Sequence, residues 1–167
     1  TDVHIGVARV EDRAHVLREM SEVKPTFVIN CAGATGRPNV DWCETHREET
    51  MRSNVIGALT LADCCALHGV HLTYFSTGCM YSYDDKYPIG YAVTERDPPN
   101  FQGSFYSYTK LHCEKIIQHY PNVLILRPRM PISDDLHPRS LLTKLRGYKK
   151  VVSIPNSITV VHDLIPA

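Results

Sequence analysis

The sequence predicts an α/β fold, a doubly wound parallel sheet, and three observations carry that prediction. Short apolar runs alternate with helical patterns along the chain, as in a strand-helix-strand series. The runs are apolar at nearly every position, which marks strands buried on both faces. Breakers rich in glycine and proline stand between the two kinds of segment.

Val3 to Ala8 alternates as a strand, and Glu11 to Val23 sets Val16, Leu17, Met20 and Val23 at helical spacing before Lys24-Pro25 ends the helix. Thr26 to Ala32 (TFVINCA) is a buried strand, and Gly33 to Asn39 (GATGRPN) is a loop. From Asp41 one long helix is predicted to about His68, with Met51, Val55, Ala58, Leu59 and Ala62 as its inner stripe and Gly69 as its stop. Val70 to Ser76 (VHLTYFS) is the next strand. Tyr81 to Gly103, broken by Pro88, Pro98, Pro99 and Gly90, is a loop too long to be a mere connection. Ser104 to Tyr120 reads as a helix, Val123 to Leu126 (VLIL) as a strand, and Arg127 to Pro138 as irregular. A short helix near Ser140 to Tyr148 and a β-like stretch from Val151 to Val161 follow. Open sheets of this class bind ligands beyond the carboxyl ends of their strands. That rule points to Gly33 to Asp41, Thr77 to Tyr81 and Arg127 to Ser133.

The 167 residues are 43% hydrophobic and 22% charged, enough for one buried core. Eighteen basic side chains balance eighteen acidic ones, so no net field draws the chain to nucleic acid or to an anionic membrane, and neither is an expected partner. No apolar run reaches the ~20 residues that span a bilayer, and the first residues are too polar and acidic for a signal peptide. A cytoplasmic protein is the expectation. Cys31, Cys43, Cys64, Cys65, Cys79 and Cys113 show no C-x-x-C spacing, so reduced thiols are expected and no metal site.

Tyr106 and Lys110 stand four apart on a helix and share a face. A nearby ammonium favours phenolate and draws a phenol down from about 10, toward the range in which it trades protons with an alcohol or ketone. On its own such a pair is more often a solvated helix face. It is joined by Ser76-Thr77-Gly78-Cys79, directly after a buried strand, where the Thr77 hydroxyl can bond the same substrate oxygen.

A strand-end hydroxyl followed by Tyr-x-x-x-Lys resembles the extended branch of the short-chain dehydrogenase/reductase family, whose fold is Rossmann-like. Asn30-Cys31-Ala32-Gly33 matches that family's Asn-x-Ala-Gly turn, and Asn54-Val55-x-Gly57 its asparagine in the following helix. Closer similarity lies in Thr35 to Glu44 (TGRPNVDWCE), Thr77 to Cys79, Gly103 to Lys110 (GSFYSYTK), Arg127 to Ser133 (RPRMPIS) and Ile154 to Ser157 (IPNS). These segments resemble the nucleotide-rhamnose synthase/epimerase-reductases, and more distantly the dTDP-4-dehydrorhamnose reductases and GDP-fucose synthases.

The resemblance implies a bifunctional enzyme that inverts carbons 3 and 5 of a nucleotide 4-keto-6-deoxyglucose, UDP or dTDP, and reduces carbon 4 with NADPH. Tyr106 would protonate the carbon-4 oxygen, Lys110 would lower its pKa and hold the nicotinamide ribose, and Thr77 would bond the ketone. Asn30, Ala32 and Gly33 would lie under the cofactor. Arg129 and Met130 would form part of the nicotinamide pocket, or else be a surface arginine and a packing methionine. Cys79 would be the epimerising base, since a thiol can remove a proton made acidic by the neighbouring ketone; a small buried hydrophobe is the other reading. Lys144 would be the opposite-face proton donor, or simple surface charge.

Gly78 lies between Thr77 and Cys79 at the sugar. Arg37, Asn39 and Asp41 offer the donors and acceptors a sugar ring needs, while Asn39 or Asp41 can equally cap the Trp42 helix. Phe101, Ser104 and Phe105 shape the pocket, or the two aromatics pack the core. A homodimer, or fusion to a dehydratase domain, is the expected association.

The family's G-x-x-G-x-x-G pyrophosphate turn has no match; Gly33-x-x-Gly36 follows a different strand. Residues 1–167 are therefore expected to be the central part of one NAD(P)-binding domain, lacking the first βαβ unit and most of the C-terminal substrate lobe, with 134–167 opening the substrate-binding portion. Two consequences are expected: contacts that reach only the nicotinamide half of the cofactor, and an exposed apolar sheet edge. A non-catalytic module of the same fold, like the regulatory subunit of methionine adenosyltransferase, or an inactive fragment, is the alternative. Retention of Thr77, Cys79, Tyr106 and Lys110 together favours the enzyme.

Overall fold

The structure is a computed structural model that describes residues 2–135, 137–138 and 140–166. Helix α1 (Arg13–Val23) opens where the Asp12 carboxylate accepts the His15 N–H at 3.0 Å, a side-chain N-cap. It closes on Lys24, whose left-handed backbone (φ 50°) returns its N–H to the Met20 carbonyl. Strand β1 (Phe27–Asn30) leads into the loop before α2 (Trp42–Thr45) and α3 (Arg47–Met51). A π-helical stretch, Arg52–Gly57, joins α3 to α4 (Ala58–His68), and Gly69 at φ 65° ends it as expected. Strand β2 (His71–Phe75), helix α5 (Phe105–Ile117) and strand β3 (Val123–Leu126) follow. Beyond them come β4 (Pro131–Ile132), α6 (Leu141–Gly147), β5 (Thr159–Val160) and α7 (Val161–Leu164).

The main sheet is parallel, in the order β1-β2-β3, with Asn30 level with Tyr74 and Tyr74 level with Ile125. The carboxyl ends therefore finish together, and the loops at Cys31, Ser76 and Arg127 leave from one rim. Helices α1, α4 and α5 cover one face through Val16, Met20, Leu61, Ala62, Cys65 and Ile117, against Leu72 and Tyr74 of the central strand. The alternate residues point the other way, and there Phe27 and Ile29 are 70% and 63% exposed. The exposed apolar edge that the sequence predicts lies at β1. Strands β4 and β5 form a separate parallel pair, and all six cysteines carry free thiols.

Three expectations change. Val3 to Ala8 is not a strand: Val3, Ile5 and Val7 are exposed, and the N–H groups of Val7 and Ala8 donate to the Glu19 carboxylate instead of a ladder. The long helix from Asp41 is broken at His46 and widened at Arg52–Gly57. A π turn accommodates one extra residue and rotates what precedes it by about 100°. Met51 of the expected inner stripe accordingly stands 46% exposed, while Leu61, Cys64 and Cys65 join Ala58 and Ala62 inside. Of Val151 to Val161 only Thr159–Val160 is strand.

Candidate active site

Helix α5 delivers the tyrosine and the lysine. Ser104 caps it, accepting the Ser107 N–H at 3.1 Å. Glu44, from α2, accepts the next free donor, the Phe105 N–H, at 2.6 Å. Spacing of four then carries Tyr106, Lys110 and Glu114 along the face toward the strands.

Lys110 is 4% exposed. Its ammonium donates to the Phe75 carbonyl at 2.6 Å and sits 4.2 Å from the centre of the Tyr74 ring. Burial lowers its pKa from the ordinary 10.5 to about 8. Tyr106 moves opposite to the sequence expectation. Burial pushes the phenol up to about 12, only partly opposed by the nearby Thr77 hydroxyl, while Cys79 and Cys43 raise it further. The physical reason is that desolvation of the phenol outweighs the ammonium, which is bound to the strand and is not among the groups that act on Tyr106.

Thr77, Cys79 and Tyr106 thus gather beyond the end of β2. The Cys79 N–H donates to Thr77 Oγ1 at 3.0 Å, and the partly buried thiol is near enough to act on the charge of the phenol. Gly78 between them donates to the Pro128 carbonyl at 2.9 Å and accepts from Arg129 Nη1 at 3.2 Å. A Cβ there would lie 3.0 Å from Arg129 Cβ, so the strand-end loops after β2 and β3 touch backbone to side chain. Arg129 also donates from Nε to Asn156 at 2.9 Å, which draws the Ile154 to Ser157 segment onto this rim. Met130 beside it holds a positive φ of 43°, a conformation that costs energy for a residue with a side chain.

At the end of β1, Asn30 is buried; its Oδ1 accepts the Ala32 N–H at 2.9 Å, while its Nδ2 has no partner among the described residues. Cys31, Ala32 and Gly33 are exposed. Asn54, in the π-helical stretch, grips the loop behind them: it accepts the Ala34 N–H at 2.7 Å and donates to the Ala34 carbonyl at 3.0 Å. Arg37, Asn39 and Asp41 lie on the exposed part of this loop. Asp41 stands at the N-cap of α2 but makes no side-chain cap bond; the Asn39 side chain accepts the Asp41 N–H at 2.9 Å, a turn just ahead of the helix that reaches none of its own N–H groups. Phe101 sets its N–H on the Met80 carbonyl at 3.0 Å and its ring where a Gly103 Cβ would stand. Lys144 lies on α6, which packs against β4; its N–H donates to the Ser140 carbonyl at 3.1 Å, and its ammonium forms no hydrogen bond or ion pair among the described residues.

Sequence reasoning assigned no role to four residues that organise this rim. Glu44 and Asn54 are two of them. The others form an ion pair between a buried carboxylate and a partly buried guanidinium: Glu114 accepts Nε of Arg127 at 2.9 Å and Nη2 as well, and Arg127 Nη1 reaches the Tyr81 hydroxyl at 2.6 Å. The signal was present, because Glu114 continues the spacing of Tyr106 and Lys110.

Residues 2–150 match the NAD dependent epimerase/dehydratase family. A trifunctional UDP-glucose 4,6-dehydratase/UDP-4-keto-6-deoxy-D-glucose 3,5-epimerase/UDP-4-keto-L-rhamnose-reductase of Arabidopsis thaliana is 55% identical over 96% of this chain and 24% of its own length. A bifunctional dTDP-4-dehydrorhamnose 3,5-epimerase/dTDP-4-dehydrorhamnose reductase of the same plant is 51% identical over 96% of this chain and 54% of its own. The chain thus spans about half, or less, of these relatives. The crystal structure of a UDP-rhamnose synthase from Acanthamoeba polyphaga mimivirus superposes with a TM-score of 0.88 at 37% identity, over 96% of this chain and 58% of that one. A Thermus thermophilus UDP-glucose 4-epimerase in complex with NAD gives 0.65 at 26% identity, over 78% of this chain and 42% of that one. The parallel sheet is Rossmann-like, the relatives are rhamnose-forming epimerase/reductases, and the chain belongs to the NAD dependent epimerase/dehydratase family.

Proposed function

We propose that the chain carries the catalytic centre of a bifunctional 3,5-epimerase/4-reductase that turns a nucleotide 4-keto-6-deoxyglucose, UDP or dTDP, into nucleotide-L-rhamnose with NADPH. The observation that supports it best is the gathering of Thr77, Cys79 and Tyr106 beyond the end of β2, with Lys110 buried behind. The names of the relatives support the same substrate class.

For reduction, Thr77 and Tyr106 hold the carbon-4 oxygen between two hydroxyls. A phenol at about 12 is protonated at neutral pH, so Tyr106 serves as the acid that delivers its proton to that oxygen. For epimerisation, Cys79 removes the proton at carbon 3 or 5, made acidic by the adjacent ketone, and Lys144 returns one from the other face as the sugar lobe folds over. Arg37, Asn39, Asp41, Gly78, Phe101 and Ser104 orient the sugar. Residues 134–167 open the substrate-binding portion, supported by the β4-β5 pair standing apart from the main sheet.

The rim fits the nicotinamide end of the cofactor. Asn30 presents a buried Nδ2 without a partner, the backbone from Cys31 to Gly33 is open, and Lys110 with Tyr106 would hold the ribose while Arg129 and Met130 wall the ring. When bound, the cofactor supplies the hydride to carbon 4. A cytoplasmic setting, and a homodimer or a dehydratase domain on the same polypeptide, complete the reading; one relative carries that dehydratase activity, and among the described residues no helix is long and apolar enough to cross a membrane.

The test separates the two half-reactions. Tyr106→Phe is expected to stop reduction of the 4-keto sugar while leaving deuterium exchange at carbons 3 and 5 in heavy water. Cys79→Ser is expected to stop the exchange yet still reduce the epimerised 4-keto sugar. Rhamnose formation unchanged by both substitutions would overturn the proposal.

A further inference from the structure

Ser107 follows Tyr106 on α5, is 1% exposed, and belongs to none of the roles above. Its hydroxyl donates to the Cys79 carbonyl at 2.7 Å, across 28 positions of sequence. It accepts in turn from the Ser104 hydroxyl at 2.9 Å, while Ser104 accepts the Ser107 N–H. The helix cap is thereby extended into a relay that ends on the loop bearing the thiol.

The Cys79 main chain is held at both ends. Its N–H is on Thr77 Oγ1 and its carbonyl is under Ser107. The Thr77 hydroxyl also lies near the Tyr106 phenol, so the strand-end loop is tied to the first turn of α5 through Ser107 and faces Tyr106 through Thr77. With both peptide groups pinned, rotation about one side-chain bond is the main freedom left to the thiol. A single hydroxyl, modest as a hydrogen bond in folding, can then have a larger effect on chemistry, because misplacing a reacting group by about 1 Å costs up to 10²-fold in rate.

We infer that Ser107 is a positioning residue for the Cys79 thiol, setting the epimerising half-reaction and leaving the reducing half to Thr77 and Tyr106. This rests on the epimerase/reductase reading. The asymmetry follows from the contacts: removing the Ser107 hydroxyl frees the Cys79 carbonyl, whereas Thr77 and Tyr106 take no hydrogen bond from that hydroxyl.

The experiment compares Ser107→Ala and Ser107→Thr with the parent chain. Two rates are read: deuterium entry at carbons 3 and 5 of the nucleotide 4-keto-6-deoxyglucose in heavy water, and NADPH-dependent reduction of the epimerised 4-keto sugar. Ser107→Ala is expected to slow exchange tenfold or more with reduction within twofold, and Ser107→Thr to restore exchange to within threefold. Unchanged exchange, or an equal loss of both rates, overturns the inference. Should the alanine variant not fold, Ser107→Cys, nearly isosteric with a far weaker donor, is read in its place with the same expected loss of exchange.

If the parent chain shows no exchange at all, the epimerase reading fails, and the placement is judged separately by alkylation. Carbamidomethylation of Cys79, followed by mass spectrometry against exposed Cys31, is expected to change at least threefold in Ser107→Ala and to stay at the parent rate in Ser107→Thr. Equal rates in all three chains overturn it.

Discussion

Lys110 should cost this protein stability at neutral pH, and replacing it by methionine isolates the amount. Burial takes its pKa from 10.5 to about 8, and at ~1.4 kcal/mol for each tenfold change in proton affinity that is a penalty of about 3 kcal/mol on the charged form. Below pH 8 the ammonium is protonated in both folded and unfolded chains, so the full penalty stands. Between about 8 and 10.5 the unfolded chain holds the proton and the folded one releases it, so stability rises with pH across that window. Lys110→Met removes this dependence along with the bond to the Phe75 carbonyl, a charged hydrogen bond of ~1.5–3 kcal/mol. The two effects nearly cancel at pH 7, where the variant should be close to the parent in stability while reduction is lost. Urea unfolding followed by circular dichroism at several pH values from 7 to 10 reads the difference. The parent is expected to gain about 2–3 kcal/mol on the variant over that range. Parallel curves, with a constant difference, would refute the argument that the lysine is held against its preference for water.

Other outcomes follow from particular contacts. Glu114→Ala leaves the quarter-exposed Arg127 guanidinium without its carboxylate and is expected to destabilise by about 1.5–3 kcal/mol in urea melts, with Glu114→Ala/Arg127→Met recovering part of the loss. Asn54→Ala removes both bonds to Ala34 and should cost about 2–4 kcal/mol, seen as a lower thermal midpoint. Among glycines with positive φ, Gly69→Ala meets open space and should cost about 1 kcal/mol from backbone strain alone. Gly36→Ala places a Cβ 2.5 Å from Trp42 Cβ and should cost more, with a shifted Trp42 emission; equal losses at the two sites would contradict the crowding.

The parts of the fold legible in sequence were those with local causes. TFVINCA, VHLTYFS and VLIL are short apolar runs between breakers, and each contains a strand of the sheet. Ser104 and Gly69 mark helix ends because a cap hydroxyl and a left-handed backbone are single-residue devices. Val3 to Ala8 alternates as well as any strand, yet what decides its state is whether a neighbour takes its N–H groups, and Glu19 takes two of them. The wide turn at Arg52–Gly57 was hidden because i+4 and i+5 patterns blur over so few residues. In the site, Tyr106, Lys110 and Thr77 declare themselves by spacing and strand-end position. Glu44, Ser107 and Arg127 lie inside segments that carry the resemblance, but the groups they act on are far away in sequence, so their partners do not show in their immediate neighbours.

The wide turn has a meaning in the language of insertions and deletions. An ordinary α-helix could run from Arg47 to His68 with one residue fewer, and it would still bury Ala62 and Cys65 against β2. Everything upstream would then be indexed differently, and Asn54 would swing away from Ala34, releasing the loop that carries Arg37 and Asn39. The extra residue works as a phase shifter between two gears: the downstream half of the helix keeps time with the hydrophobic core, and the upstream half keeps time with the rim where the chemistry is assembled. A lost codon in this stretch would be nearly silent in helix content and costly at the site.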